Sequence, residues 1–446
     1  MQLVDLATDT LREAKRLGAD AGDIIIAAGE SFSAGVRLGK VEKIQNSHEK
    51  RMGIRLFVGK SSAITSTANF ARETLLALVE ETVALARATA ADEYTGLPLA
   101  SELAQDLPDL DLEDVNGTLS TEEKIALACE AEAVALQADP RITNSEGGEF
   151  SNSSREIVFA NTLGFAGHYR TTNYSLSVVP VASQNGAMQR DYWHSSHRKL
   201  RSLDTPSAIG QKAAERTLRR LGARRVKTQE APVVFDPEMA ASLLRHLAAA
   251  VSGVSLYRKT SFLLDKLGEH IASPGLWIED NARLPSALGS KPFDGEGLPT
   301  RCIPVVEDGI LTNYLLDTYS ARRLGKQSTG SAARAFADAP AAGPTNFVLR
   351  AGSTSPQEII QSVRSGLYVT ELSGFGVNPV TGDYSRGAVG MWIENGELAY
   401  PVEEITIAGN LLDMLKNIEV LGNDLELRST IAAPTLKITR MMIAGE

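Results

Sequence analysis

The chain opens on apolar positions at helical spacing. Leu3, Leu6, Leu11, Ala14 and Leu17 fall on one side of a helix that Gly18 ends. The pattern then changes. Residues 24–26, 31–38, 41–47, 52–59 and 62–67 are short β-prone runs, with bends at Gly39-Lys40 and Gly59-Lys60, and they predict a meander. Helical spacing returns over 71–90, placing Leu75, Leu78, Val79, Val83 and Leu85 inward. Residues 91–119 are acidic, carry Pro98 and Pro108, and read as a loop crossing the surface. The plan then recurs: a helix from Thr121 to about Ala138, stopped by Pro140, β-prone runs at 142–146, 156–161, 164–172, 174–182 and 187–194, and a helix over 206–221. Two helix–meander–helix units, 1–90 and 120–222, suggest an internal duplication. Strands in runs without βαβ alternation indicate an α+β fold.

Residues 224–230 read as a hinge. Val233-Val234-Phe235 is a strand, and Asp236-Pro237 pairs an N-cap with a proline at the first helical position. The helix it opens runs through Met239, Leu243, Leu244 and Leu247 to about Val251. The rest is mainly β, with short helices over 318–324 and 356–365 and a closing strand at 435–438. Residues 366–410 mix glycine with Val, Ile, Tyr and Trp, which reads as tight β-structure with close backbone approaches. Asn395-Gly396, flanked by Met391-Trp392-Ile393 and Leu398-Ala399-Tyr400, is a two-residue hairpin signal. The division expected is an N-terminal α+β region, 1–225, and a β-rich C-terminal domain, 226–446.

Composition narrows the function classes. The formal net charge of −10 and pI near 5.3 oppose a nucleic-acid groove. The basic cluster Arg219, Arg220, Arg224, Arg225 and Lys227 reads as a solvated helix end and connector. Cys129 and Cys302 are the only cysteines, which argues for a reducing compartment. Cys129 lies in an Ala-rich helix and reads as a small hydrophobe. Cys302 has no base beside it in sequence. The chain shows neither an apolar signal segment nor a run long enough to span a bilayer, so a cytoplasmic location away from membranes is expected.

Four motifs carry a resemblance: SLYRKTSFLLD from Ser255 to Asp265, TGDYSRG from Thr381 to Gly387, EITIAGN from Glu404 to Asn410, and VLGND from Val420 to Asp424. With them the chain resembles the TldD/TldE (PmbA) family, also called modulators of DNA gyrase and regarded as zinc metallopeptidases or their partners. The similarity covers most of the chain, and the first motif matches the TldE (PmbA) branch best. The resemblance implies an N-terminal α+β region, a β-rich C-terminal domain, and dimers, either a homodimer or a pair with a TldD-type subunit.

It also implies chemistry that this chain lacks. TldD-type members carry two histidines and a glutamate on the helix corresponding to 236–251, so that one zinc is shared and its water activated. A distant C-terminal cysteine adds a third ligand. Here His246 alone remains, followed at i+4 and i+5 by Ala250 and Val251, and neither cysteine falls in 423–437. One histidine cannot hold a catalytic zinc. His246 is then either a degenerate metal position needing ligands from elsewhere or a structural histidine bonded to a backbone carbonyl. His194 and His197 read as a surface loop or partner contact, and His270 as incidental.

The remaining candidates concern peptide binding. A glycine-rich β-surface can take an extended peptide as an added strand. Asp383, Tyr384 and Arg386 can orient it, or Asp383 and Arg386 pair with each other and brace a hairpin. Arg258 and Lys259 lie near the family's cleft by resemblance, or anchor the 366–410 sheet. Asp294-Gly295-Glu296-Gly297 reads as turns rather than calcium ligands. The leading expectation is a TldE (PmbA)-like subunit without zinc in this chain, the zinc sitting on a TldD-type partner, acting on unfolded peptides. The alternatives are an autonomous zinc metallopeptidase with a non-standard site, and a non-proteolytic protein-binding modulator related to DNA gyrase.

Overall fold

A computed structural model describes residues 2–446 and shows an α+β fold. Helix α1 (Leu3–Arg16) buries Leu6, Ala7, Leu11 and Ala14. Three antiparallel strands follow: β1 (Ala21–Arg37), β2 (Lys40–Val58) and β3 (Ser61–Thr67). The five predicted runs of this unit merge into those three, because the mid-strand serines and charges stay in register instead of turning. Leu38 and Gly39, both at positive φ, make the first turn. Helix α2 (Arg72–Ala88) buries Leu75, Val79 and Val83 but leaves Leu85 45% exposed, against expectation.

Helix α3 (Thr121–Gln137) begins with a reciprocal Ser120–Glu123 capping box. Strands β4 (Ile142–Asn161), β5 (Ala166–Gln184), β6 (Ala187–Arg190) and β7 (Trp193–His197) and helix α4 (Pro206–Leu218) complete the second unit. The two units share one seven-stranded sheet, joined where β1 pairs with β4 along their length. Helices α1 and α2 cover one end of a face around Ile24, Ile26 and Ile54. Helices α3 and α4 cover the other end around Phe32, Phe150 and Leu176.

The second half begins with β8 (Gln229–Phe235), α5 (Pro237–Ala250) and α6 (Gly253–Tyr257). A five-stranded sheet contains β9 (Ile278–Asn281), β10 (Cys302–Glu307) and β11 (Ile310–Leu311). Helix α7 (Thr318–Arg323) and the small β12–β13 pair (Ala332–Ala333, Ala341–Ala342) come next. Strand β14 (Phe347–Leu349) belongs to that five-stranded sheet. Then come α8 (Pro356–Gln361), β15 (Ser365–Ser373), β16 (Asp383–Glu394), β17 (Glu397–Asn410), α9 (Leu411–Lys416), β18 (Ile418–Leu421), β19 (Ile431–Ala432) and β20 (Leu436–Ala444). The order β17-β16-β15-β8-β20 closes on itself through β17–β20 pairing, so these five strands form a barrel. Asn395 and Gly396, at φ 51° and 84°, form the predicted hairpin turn. Helix α9 is absent from the sequence expectation. It is started by Asn410, whose side chain accepts from the Leu412 N–H.

Two expectations fail where the halves meet. Residues 91–119 do not simply cross the surface; they strap the halves together. Tyr319 donates to Asp92, the Arg322 guanidinium donates to the Tyr94 and Leu97 carbonyls, and Ala104 N–H donates to Gly297 O. The basic cluster is not a freely solvated helix end either. Arg220 pairs with Glu371 at 2.5 Å, Arg225 pairs with Glu404, and Arg224 stacks on Tyr400 at 3.5 Å. The expected hinge is thereby pinned to β17, where the Arg224 N–H also donates to Pro401 O.

Candidate functional site

Helix α5 positions the residue at the degenerate metal position. Asp236 accepts from the Met239 N–H at 2.9 Å and Pro237 starts the helix, as the sequence predicts. Leu243, Leu244, Leu247 and Ala248 face the barrel core. That rotation turns Arg245 outward and leaves His246 half-buried at the rim.

There His246 packs on Tyr384 of β16. Burial lowers the His246 pKa, and the Arg386 and Arg245 guanidiniums lower it further. Among the described residues no backbone carbonyl accepts a hydrogen bond from His246, which corrects the expected anchoring; its partner is an aromatic ring. The surroundings do not fit a zinc ion, because two guanidiniums beside one imidazole repel a cation. Among the described residues, no three His, Cys, Asp or Glu side chains converge on a metal-sized point.

Tyr384 is 2% exposed, and its hydroxyl is buried without a hydrogen-bond partner. Burial raises its pKa above the ordinary value. A side chain so enclosed does not face a ligand, which corrects the expectation that Tyr384 orients a bound peptide. Asp383 and Arg386, by contrast, do not pair with each other. Asp383 accepts from Thr381 Oγ1 at 2.6 Å and from Asn410 Nδ2 at 3.4 Å, whereas Arg386 donates to the Leu372 and Ser373 carbonyls at 3.2 and 3.4 Å. Residues an odd number apart on a strand face opposite ways, so Asp383 and Arg386, three apart, point to opposite faces of β16, and each has found backbone or loop partners of its own.

The loop before β16 is tied down. Asn378 N–H donates to Asp383 O, and Ser385 N–H donates to Gly376 O. Its tip presents Phe375 fully to solvent between two glycines. Arg258 and Lys259 are exposed on the turn after α6, with Lys259 at φ 58°. The segment they belong to reaches both other parts of the rim. Phe262 N–H donates to Pro379 O at 2.8 Å, and Ser261 Oγ donates to Ala250 O at the end of α5 at 2.7 Å. The structure therefore links Arg258–Lys259, the Asp383 loop and His246 through these two bonds. Sequence reasoning missed Arg245 and Phe375. A lone aromatic between glycines in Gly374-Phe375-Gly376 was the available signal for the second.

The other singled-out residues lie elsewhere. His194 and His197 are not in a surface loop. They sit in β7, where His194 Nδ1 is 3.7 Å from Glu238 and its carbonyl accepts from Arg428, so the pair is packed between the two halves. His270 is exposed beside Ile310. Asp294 and Glu296 are buried, not solvated: Asp294 accepts from the Glu296, Leu298 and Ala332 N–H groups, and Glu296 accepts from Thr318 N–H. Cys302 is exposed, and burial of its sulfur together with Glu279 pushes the thiol up to about 11, the opposite of an activated nucleophile. Two surface clefts lie away from His246. One of about 560 Å³ crosses β1, β2 and β4, and one of about 610 Å³ borders β17, α9 and β20.

A five-stranded barrel joined to a helix-covered sheet, with a histidine-bearing helix at the barrel rim, defines a class with counterparts of known sequence. The chain belongs to the PmbA/TldD metallopeptidase family. Its three models match in order: domain 1 over residues 22–86, the central domain over 115–221 and the C-terminal domain over 228–445. It is 40% identical over 445 residues to metalloprotease PmbA of Escherichia coli O157:H7, covering 100% of this chain and 97% of that one. It is 37% identical to the PmbA homolog of Haemophilus influenzae, covering 97% and 94%. The TldD homolog of the same species is 26% identical over 74% of this chain and 73% of its own length. Among solved structures, a protein from Bacteroides thetaiotaomicron described as a modulator of DNA gyrase superposes with TM-score 0.92 at 30% identity, covering 99% and 98%. TldE from Thermococcus kodakarensis shares the fold at TM-score 0.89 and 22% identity, covering 99% and 100%.

Proposed function

We propose that this chain is the TldE (PmbA)-like, zinc-less subunit of a TldD/TldE-type metallopeptidase that processes unfolded peptides. Peptidase function at the level of the family follows from the metalloprotease relatives. The subunit role rests on one observation above all. The helix position where a zinc site belongs holds a single histidine between two guanidiniums and a buried phenol ring. The catalytic zinc then belongs to a TldD-type partner, and Haemophilus influenzae carries both a PmbA homolog and a TldD homolog.

In this reading the chain's own residues bind and orient rather than react. Arg258, Lys259 and Arg386 offer positive charge along the rim, Asp383 offers negative charge, and Phe375 offers an apolar anchor beside them. An extended peptide is held there chiefly through its backbone, which keeps recognition tolerant of sequence. No helix among the described residues is long and apolar enough to cross a membrane, in keeping with a cytoplasmic peptidase.

The deciding experiment measures zinc by elemental mass spectrometry and hydrolysis of an unfolded protein, for the chain alone and with a TldD-type subunit. Near-zero zinc and hydrolysis only in the mixture are expected. About one zinc per chain with full activity alone would make it an autonomous enzyme. Binding to DNA gyrase without any hydrolysis in the mixture would favour the modulator reading.

A further inference from the structure

The rim beside α5 gathers positive charge that nothing neutralises. Arg245 lies on α5, Arg386 on β16, and Arg258 and Lys259 on the turn after α6. Among the described residues, no carboxylate oxygen lies within 4.0 Å of any of these four side chains. The chain as a whole carries a formal charge of −10, so a basic rim without acids runs against its composition.

Arg386 is held in place with one edge open. Tyr384 and Arg386 are two apart on β16 and face the same way, and the charge of Arg386 acts on both the Tyr384 phenol and the His246 imidazole. Its Nη2 donates to Leu372 O at 3.2 Å and its Nε to Ser373 O at 3.4 Å. A guanidinium can grip a carboxylate by two edges, Nε with Nη2 or Nη1 with Nη2. The two β15 carbonyls take the first edge and thereby fix the plane of the group. Nη1 makes no hydrogen bond among the described residues, so the second edge is left for a ligand. Arg245 is exposed, and its charge also reaches the His246 imidazole. Asp383 cannot quench either group, because it points to the other face of β16 and is engaged by Thr381 and Asn410.

We infer that Arg386, with Arg245 beside it, takes the C-terminal carboxylate of the bound peptide. The inference rests on the rim being the peptide's seat, as proposed above. A surface that accepts unfolded chains of many sequences has to recognise what every chain carries. Backbone amides are uncharged and side chains vary, whereas the terminal carboxylate is an anion common to all unmodified peptides. A guanidinium oriented beforehand by backbone carbonyls loses little freedom on gripping it. The rim then holds a substrate by its C-terminal end. An acidic side chain has the same chemistry, and the test separates the two.

The test uses one unstructured peptide labelled with fluorescein at its N-terminus. It is prepared as the free acid, as the C-terminal amide, and as the amide with an aspartate in its middle. Binding to the full chain alone is followed by anisotropy, with circular dichroism to verify folding of the variants. The amide is expected to bind roughly tenfold more weakly than the acid, and the internal aspartate to restore little of this. In Arg386→Gln the acid and the amide should bind alike, and in the exposed-site variant Arg245→Gln their difference should shrink. Equal binding of acid and amide to the wild type overturns the inference, as does full recovery by the internal aspartate, which would show general charge attraction. Hydrolysis of both forms is then measured with a TldD-type subunit. Equal binding with hydrolysis intact overturns this inference alone; no binding and no hydrolysis overturns the subunit reading with it.

Discussion

The His246 imidazole meets the Tyr384 ring edge to face, with centroids 6.2 Å apart and planes at 81°. This contact ties α5 to β16 at the one place where the family's chemistry is expected. It uses the histidine as a packing element, with burial and then the Arg386 and Arg245 guanidiniums disfavouring its protonation.

His246 should titrate below its ordinary value near 6.5. The unfolded chain then binds more protons between the folded value and 6.5, so stability rises with pH across that interval. The contribution is complete above about 6.5 and is lost as pH falls through the folded value. Histidine-resolved NMR titration of wild type and Arg386→Gln checks this, with the pKa moving upward in the variant.

Tyr384→Phe should leave stability unchanged or slightly improved. The hydroxyl is buried with no partner, so the fold now bears its desolvation without return. Tyr384→Ala should cost about 3–5 kcal/mol, because it leaves a ring-sized cavity in the barrel core beside His246. Denaturant melts of the two variants separate the phenol's polar group from its packing.

Arg216 is one of the buried links between the halves. Its guanidinium reaches Asp191 and Asp236, each at 3.4 Å, and Glu238 at 3.5 Å, while stacking on Trp193 at 5.2 Å. Arg216→Met should destabilise by about 3–5 kcal/mol, since it strands three carboxylates, two of them buried. Asp236, already pushed up to about 6 by burial despite Arg216, should rise further in that variant. Thermal melts between pH 5 and 8 would register both effects, the loss growing as pH rises and Asp236 is forced to ionise.

Glu296 supplies a third pH dependence. Burial raises its pKa to about 7, with Arg55 at 3.7 Å opposing and Asp294 and Asp317 reinforcing the shift. The folded chain keeps a proton that the unfolded chain releases above its ordinary value of 4.5. The stability this group contributes is complete below about 4.5 and is lost as pH rises through about 7. Glu296→Gln should therefore flatten the stability profile and gain roughly 1–3 kcal/mol at pH 8. A steeper profile in the variant would contradict this account.

Close backbone approach gives a further check. Gly53 of β2 lies against the Phe336 backbone of the second half, and an added Cβ would run into it. Gly53→Ala should cost about 1–3 kcal/mol by overpacking, whereas Gly59→Ala, with open space around its Cβ position, should show only the strain of its positive φ.

The sequence by itself determined the α+β class, the principal helices, the Asn395-Gly396 turn, the Asp236-Pro237 start of α5 and the fact that His246 is the one histidine on that helix. All of these rest on local signals: periodicity, capping chemistry, φ requirements and the identity of residues one helical turn apart. Tertiary structure decided what local signals cannot carry. Strands β1 and β2 run through their polar middles because α1–α2 and α3–α4 cover opposite ends of one sheet, leaving Ala28 to Ser31 between them. Leu85 lies outside because the helix rotates to suit Leu75 and Val79. Tyr384 is buried, and Asp383 and Arg386 part company, because barrel closure through β17–β20 fixes which way each side chain of β16 faces. Charges at Arg216, Asp236 and Glu296 became buried links because two halves distant in sequence meet there, and only that meeting excludes water from them.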